Sequence, residues 1–151
     1  MSTLHMRKTT TATPEQLVAA ITDFGPGRSK IFSASADDQL QVHSLSATRA
    51  DVTEGSGGVW ERLEYDWSNP NRIVMRTVDS NLWGGASGHT YTMTRRADGT
   101  TAIDAVVIRD GKNVKGRLVG ALLGSVAKGG LVKAFANTVK AIEARNGVIS
   151  V

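Results

Sequence analysis

The stretch over residues 40–109 constrains the fold most, because it alternates short extended segments with turn-forming clusters. The clusters are Gly55-Ser56-Gly57-Gly58, Ser68-Asn69-Pro70-Asn71, Gly84-Gly85 and Ala97-Asp98-Gly99. Each connection is too short for a crossover helix, and consecutive strands joined in this way pair antiparallel. We therefore predict an antiparallel meander of five strands here. With a threonine-rich strand over residues 3–11, the expected sheet has about six strands.

The alternation of apolar and polar residues assigns side chains to the two faces of this sheet. In residues 59–67, one face carries Val59, Glu61, Leu63, Tyr65 and Trp67, and the other carries Trp60, Arg62, Glu64 and Asp66. Most of the inward positions are candidate ligand contacts. They are Glu61, Leu63, Tyr65, Trp67, Thr77, His89, Tyr91, Met93, Ala105, Val107 and Arg109, with Trp83 in the loop before the His89 strand.

Helix signals lie on both sides of the meander. Thr13 is the expected N-cap of a first helix, with Pro14 at the first helical position, and Gln16 completes a capping box. The apolar stripe of this helix is predicted to end at Gly25-Pro26-Gly27, with a short helix or turn over residues 28–32 after it. A long C-terminal helix is predicted over residues 115–146. Its apolar residues recur near helical spacing: Leu118, Leu122, Val126, Leu131, Phe135, Val139 and Ile142.

Three glycines lie four residues apart in the first half of that helix: Gly116, Gly120 and Gly124. A glycine inside a helix costs roughly 1 kcal/mol relative to alanine, so three on one face require an explanation. One interpretation is a strip without side chains that leaves room for a ligand between helix and sheet. The other is that the glycines only allow the helix to approach the sheet closely or to kink.

Composition and charge exclude several classes of protein. The 151 residues suffice for one domain over residues 1–151 with a real core, and the lack of cysteine excludes disulfide frameworks, thiolate metal sites and cysteine nucleophiles. The net charge of +4 comes from the C-terminal segment, since residues 112–151 hold seven basic residues and one acidic residue. A solvated helix face explains this better than nucleic-acid binding, although weak contact with an anionic surface stays open. No signal or membrane-spanning stretch is evident, so we expect a cytoplasmic protein.

The order of strand, capped helix, meander and long helix resembles the helix-grip fold of the START-like (SRPBCC) superfamily. The opening Ala12-Thr13-Pro14-Glu15-Gln16 with Ala20-Ile21-Thr22-Asp23-Phe24 is typical of its polyketide cyclase/dehydrase and lipid-transport branch. Further matches, similar to an actinobacterial-type subgroup, are Val52-Thr53-Glu54-Gly55-Ser56, Val59-Trp60-Glu61-Arg62, Tyr65-Asp66-Trp67, the start of the final helix at residues 112–116, and its end at Lys140-Ala141-Ile142-Glu143.

This resemblance implies an α+β fold in which a strongly curved antiparallel sheet grips the C-terminal helix around an apolar cavity. Relatives with this fold include carriers of lipids or polyketides as well as aromatase/cyclases. The leading hypothesis is therefore the binding of a small hydrophobic molecule by a carrier or sequestering protein without a cofactor. The alternative is a cyclase, aromatase or dehydratase.

Four polar residues on the predicted inner face carry these hypotheses. Glu61 and His89 could form an acid–base pair with Tyr91 as a further hydrogen-bonding group, which would serve catalysis. Alternatively, Glu61 pairs with Arg109 to neutralise a buried charge. Tyr91 is more often a cavity wall than a proton donor, and Trp83 could either cap the cavity mouth or only anchor its loop.

Other chemistries lack the motifs they need. The three histidines lie on separate segments without metal-binding spacing, so no metal site is expected. There is no phosphate-binding glycine motif or nucleophile elbow, and the Gly55–Gly58 cluster lies between two strands, as a hairpin turn does. The sequence leaves the oligomeric state open.

Overall fold

The computed structural model describes residues 1–123 and 128–149. Seven strands and three α-helices form in this part of the chain, with two short 3₁₀ helices at Arg28–Lys30 and Asp37–Gln39. The elements are β1 (Ser2–Thr10), α1 (Pro14–Ile21), β2 (Gln41–Leu45), β3 (Arg49–Ser56), β4 (Val59–Asp66), β5 (Arg72–Ser80), β6 (Gly88–Arg95), β7 (Thr101–Arg109), α2 (Val114–Leu123) and α3 (Lys128–Ile149).

The strands form one antiparallel sheet in the order β1-β7-β6-β5-β4-β3-β2. The meander therefore runs from β2 to β7, and β1 closes it on the far edge. Register shifts between Val42 and Ser44 and between Arg62 and Leu63 interrupt the ladders. Such irregularities bend a sheet, and they give this one the curved face on which α3 packs.

The sheet has seven strands rather than about six, because the meander contains one more hairpin than the sequence predicted. The additional turn joins β2 to β3 through Ser46-Ala47-Thr48, which contains no glycine, proline or asparagine. The Ser46 amide donates a hydrogen bond to the Arg49 carbonyl at 2.8 Å, and the Ser46 hydroxyl bonds the same residue. The side chain of Ser46 thus closes the turn without the backbone freedom that glycine gives.

Helix α1 begins as predicted and ends earlier than predicted. The Thr13 hydroxyl accepts the Gln16 amide, and the Gln16 side chain accepts the Thr13 amide, so the capping box is present. The helix ends at Ile21 instead of reaching Gly25. The guanidinium of Arg28 donates to the carbonyl oxygens of Ile21 and Asp23 at 2.8 and 2.7 Å, which satisfies acceptors that another helical turn would have used.

Helix α3 supplies the second layer of the core. Phe135, Val139 and Ile142 are buried against the concave face of the sheet, as their spacing predicted. The Phe135 ring stacks on Tyr91 of β6, with ring centres 6.3 Å apart. Two polar contacts anchor the helix, since Thr138 donates to the Ile31 carbonyl and Glu143 accepts from Thr10, both at 2.8 Å.

The buried face of α2 differs from the one predicted. Leu118 and Leu122, assigned to the apolar stripe, are 64% and 51% exposed, whereas Gly116 and Gly120 are buried. A Cβ atom on Gly116 would overlap the carbonyl oxygen of Leu82. The glycines therefore bring the backbone of α2 against the loop after β5. The single helix predicted from the sequence corresponds to two described segments, α2 and α3.

The contact at Gly116 yields a stability prediction with an internal control. Gly116→Ala should lower the free energy of unfolding by about 1–3 kcal/mol, because the new methyl group meets a backbone atom that cannot swing away. Gly120→Ala should be neutral or stabilising by up to about 1 kcal/mol. Its Cβ would lie 3.5 Å from the Trp83 ring, an ordinary contact distance. Urea unfolding of both variants measures the difference, and equal effects would show that Gly116 is not a close-packing position.

Candidate functional site

A cavity of about 180 Å³ lies between the inner face of the sheet and the segment after the first 3₁₀ helix. Its inner wall is buried, whereas Ala34, Val59 and Trp60 are exposed at one end. The cavity therefore opens between residues 32–36 and the β3–β4 hairpin. Its lining residues are Phe32, Ala34, Ser35, Glu54, Gly55, Ser56, Val59, Trp60, Glu61, Leu63, Tyr65, Met75, Trp83, His89, Tyr91 and Arg109.

Seven of the residues proposed from the sequence line this cavity. The two-residue period of β4 and β6 places their side chains on its wall, and Arg109 reaches it from the end of β7. They are Glu61, Leu63, Tyr65, Trp83, His89, Tyr91 and Arg109. Trp83 could either cap the cavity mouth or anchor its own loop, and the structure favours the role of loop anchor. The side chain is 5% exposed, lies within the wall and packs beneath α2.

The other proposed contacts lie outside this cavity. Met93 and Ala105 are part of the packed core, and Trp67 packs against it. Thr77 is buried beside the wall, where its hydroxyl donates to Glu61 at 2.6 Å. Val107 lines a separate pocket of about 80 Å³ between β1, β7 and α3.

The glycine strip does not line the cavity either. Gly116 is in close backbone contact with Leu82, and Gly120 lies next to the Trp83 ring. Neither glycine is among the residues that line the cavity. Gly124 lies outside the described residues. The close-packing interpretation is therefore the one that the geometry supports at Gly116, and the cavity lies elsewhere, between the sheet and residues 32–36.

Nine lining residues were not among the proposed contacts, and three of them had a usable signal. Val59 is on the face of β4 that the alternation assigned inward, and Met75 is two residues before Thr77 on β5. Glu54 is two residues after Val52 on β3, so the same alternation that identified Glu61 places Glu54 on the inner face. The contribution of Phe32, Ala34 and Ser35 depends on an irregular segment that has no periodicity. Only the folded chain shows that this segment covers the sheet.

Glu61, Arg109 and His89 form one cluster in which the arginine is central. The guanidinium of Arg109 donates to Glu61 at 2.6 and 3.3 Å and to the Nε2 atom of His89 at 2.9 Å. The same guanidinium lies over the Trp83 ring, 5.1 Å from its centre. The predicted pairing of Glu61 with Arg109 is confirmed, and direct contact between Glu61 and His89 does not occur, because Arg109 occupies the space between them.

The protonation states follow from these contacts. Burial opposes ionisation of Glu61, but the positive charge of Arg109 and the hydrogen bonds from Arg109 and Thr77 together outweigh it and lower the pKa of the carboxyl below its usual value. Burial and the same guanidinium lower the pKa of His89 to about 4. At neutral pH the imidazole is uncharged and accepts at Nε2, so its proton is on Nδ1. That atom is buried and has no hydrogen-bond partner in the described chain.

A second buried cluster surrounds Glu54, another residue of the cavity wall. Arg28 is 3% exposed and donates to Glu54 at 2.5 Å and to the Tyr65 hydroxyl at 3.0 Å. Tyr65 in turn donates a short hydrogen bond to Glu54, and Ser35 donates to the same carboxylate at 2.9 Å. Burial and the Glu54 charge raise the pKa of Tyr65 well above its usual value. The Glu54 carboxylate is thus fully occupied by protein donors.

Tyr91 is a buried polar residue of the wall that neither cluster uses. The residue is 8% exposed, and its hydroxyl makes no hydrogen bond within residues 1–123 and 128–149. Burial and the charge of Glu54 raise the pKa of Tyr91 to about 12, so the phenol keeps its proton. Its stacking on Phe135 fixes the ring, and the hydroxyl is available to a cavity occupant.

In the described ranges, no three histidine, aspartate or glutamate side chains come together in a way that could hold a metal ion. None of the helices in those ranges is long and apolar enough to cross a membrane.

Comparison with known proteins identifies the fold. No family model and no curated protein matches the sequence. Among solved structures, the protein TTHA0849 of Thermus thermophilus superposes with a TM-score of 0.72 at 15% identity, covering 99% of this chain and all of that one. A START superfamily protein from Mycobacterium smegmatis gives 0.65 at 12% identity, with 95% of each chain covered.

A third similar structure is the Zhui aromatase/cyclase of a Streptomyces species. Its TM-score is 0.66 at 11% identity, and the alignment covers 95% of this chain and 94% of the other. These likenesses extend over nearly the whole chain, and at such low identities they define the fold. The chain has the START-like helix-grip fold, as its sequence motifs predicted, and it shares that fold with a START superfamily protein and with an aromatase/cyclase.

The buried histidine predicts a pH dependence of stability. Because the pKa of His89 is about 4 when folded and its ordinary value is 6.5, the unfolded chain binds a proton in this interval that the folded chain does not. Stability is therefore complete above pH 6.5 and falls by up to about 3 kcal/mol as the pH decreases to 4. Lowering of the Glu61 pKa acts in the same direction at lower pH.

Urea unfolding across pH 4–7 measures this effect. His89→Gln should show a flatter profile than the wild type, and His43→Gln, at an exposed position of β2, should retain the wild-type profile. A profile unchanged by His89→Gln would show that the imidazole does not titrate as described.

The Arg28 cluster predicts a large penalty for breaking a buried ion pair. Arg28→Met leaves the Glu54 carboxylate buried without its cation and should cost about 3–5 kcal/mol. The double variant Arg28→Met/Glu54→Gln should recover part of this loss, because the uncompensated charge is gone. Arg76→Met, which removes an exposed ion pair with Glu64, should cost less than about 1 kcal/mol. Urea unfolding compares the three, and an Arg28→Met effect as small as that of Arg76→Met would contradict the assignment.

Proposed function

We propose that this protein binds a small hydrophobic molecule in the cavity between the sheet and residues 32–36, as a carrier or sequestering protein. The observation that carries the proposal is an open cavity whose wall is built mainly from apolar and aromatic side chains, among them Leu63, Met75, Trp83 and Tyr91. Binding sites for small molecules have this composition, with a few fixed polar groups that orient the ligand.

The contacts of the cavity support binding better than acid–base catalysis. A general acid or base needs a proton to give or a free lone pair to receive one, at a pKa near the working pH. Glu61 is ionised and occupied by Arg109 and Thr77, and the Nε2 atom of His89 already accepts from Arg109. Tyr91 holds its proton too tightly to act as an acid. The proposed catalytic set of Glu61, His89 and Tyr91 therefore has no acid–base pair.

Blocking the cavity mouth tests this function. Ala34 lines the exposed end of the cavity, and Ser33 is equally exposed but does not line it. Ala34→Trp should weaken binding of the bicyclic hydrocarbon indane at least 10-fold, because the indole fills the entrance. Ser33→Trp is the matched control and should bind as the wild type does. Neither exposed substitution should alter stability by more than about 0.5 kcal/mol.

Binding is measured by following backbone amide resonances of the wild type and both variants during an indane titration. The expected shifts lie at cavity residues such as Leu63 and Tyr91. The proposal is wrong if indane shifts no cavity resonance in the wild type, or if the two tryptophan variants bind it equally well.

A further inference from the structure

The charged groups around the cavity are all neutralised within the protein. Arg109 is bound by Glu61 and His89, and its exposed side-chain fraction is 14%. Arg28 is bound by Glu54 and by backbone carbonyls, and its side chain is 1% exposed. An anionic ligand would therefore either add a negative charge beside a buried carboxylate or displace that carboxylate from its arginine, and both are strongly unfavourable. A cationic ligand would have to displace an arginine in the same way.

Two buried and uncharged hydrogen-bonding groups, by contrast, are unused, and they lie on one strand. The Tyr91 hydroxyl has no partner in the described chain, and two residues earlier on β6 the Nδ1–H of His89 has none either. Alternation along the strand places both side chains on the same face. The buried Nδ1–H of His89 can only donate, and the Tyr91 hydroxyl can donate, so each of these two unpaired groups is a hydrogen-bond donor. A carbonyl oxygen, which accepts up to two hydrogen bonds, complements this surface.

The cavity volume limits the size of the occupant. An engineered apolar cavity of about 150 Å³ in another protein accommodates benzene. The present cavity of about 180 Å³ has room for one or two fused rings. A long acyl chain or a four-ring skeleton would exceed it.

We propose that the ligand is an uncharged molecule of one or two rings whose carbonyl oxygen accepts a hydrogen bond from the Tyr91 hydroxyl. This inference rests on the proposed binding function and specifies its ligand class. Tyr91 is then the residue that selects the ligand for its oxygen, while the apolar wall provides most of the affinity. The neutralised arginines exclude carboxylates of the same shape.

Three probes of matched skeleton test the proposal by isothermal titration calorimetry: indane, 1-indanone and indane-1-carboxylate. Tyr91→Phe removes the hydroxyl alone and breaks no hydrogen bond within the described protein, so the variant should fold, which thermal unfolding checks. It should weaken binding of 1-indanone by roughly 2- to 10-fold, the range of a neutral hydrogen bond. Indane binding should stay the same, and the carboxylate should bind the wild type at least 10-fold more weakly than the ketone.

The possible results distinguish a failure of this inference from a failure of the proposed binding function. Wild-type protein that binds neither indane nor 1-indanone contradicts both. Protein that binds both probes, but whose Tyr91→Phe variant retains its affinity for 1-indanone or loses affinity for both probes equally, overturns the role of Tyr91 and leaves the binding function intact. Tighter binding of the carboxylate than of the ketone overturns the exclusion of charged ligands.

Discussion

The buried guanidinium of Arg28 connects more of this fold than any other side chain described here. It bonds the carbonyls at the end of α1, the carboxylate of Glu54 on β3 and the hydroxyl of Tyr65 on β4, and it lies 4.5 Å from the centre of the Phe24 ring. A charge taken out of water in this way is tolerated only because every neighbour compensates it. The segment that follows α1 is thereby held over the sheet, where it covers one side of the cavity.

Compensation of a buried charge also determines the chemistry of the cavity wall around Arg109. Arg109 satisfies Glu61 and His89 together, so three groups that could each have titrated or bound an ion are committed to one another. For an occupant, the buried part of the wall offers mainly apolar surface together with the uncharged hydroxyl of Tyr91. A START-like fold is used by proteins described as START members and as aromatase/cyclases, so the fold alone does not decide between binding and catalysis. Here the occupied lone pairs of Glu61 and His89 favour binding.

The sequence predicted the sheet well where its periodicity was regular and failed where side chains replaced the usual signals. The inward positions on β4, β6 and β7 could be identified because a strand exposes alternate residues to one face, and the turns carried glycine, asparagine or proline. The β2–β3 hairpin was missed because Ser46 closes it with its own hydroxyl. The buried face of α2 was misassigned because apolar residues were expected inside, whereas the closest approach is made by Gly116.

Local chemistry therefore determined the elements and their faces, including the capping box at Thr13 and the inward set of Glu61, His89, Tyr91 and Arg109. Only the tertiary structure decided which of those polar groups form hydrogen bonds with one another. Alternation tells which face a side chain occupies but gives no distance across a curved sheet, so the sequence could not show that Arg109 lies between Glu61 and His89. Nor could it show that residues 32–36 cover the sheet, because an irregular segment is positioned by its long-range contacts. The size of the cavity and the free hydroxyl of Tyr91 are consequences of those two arrangements.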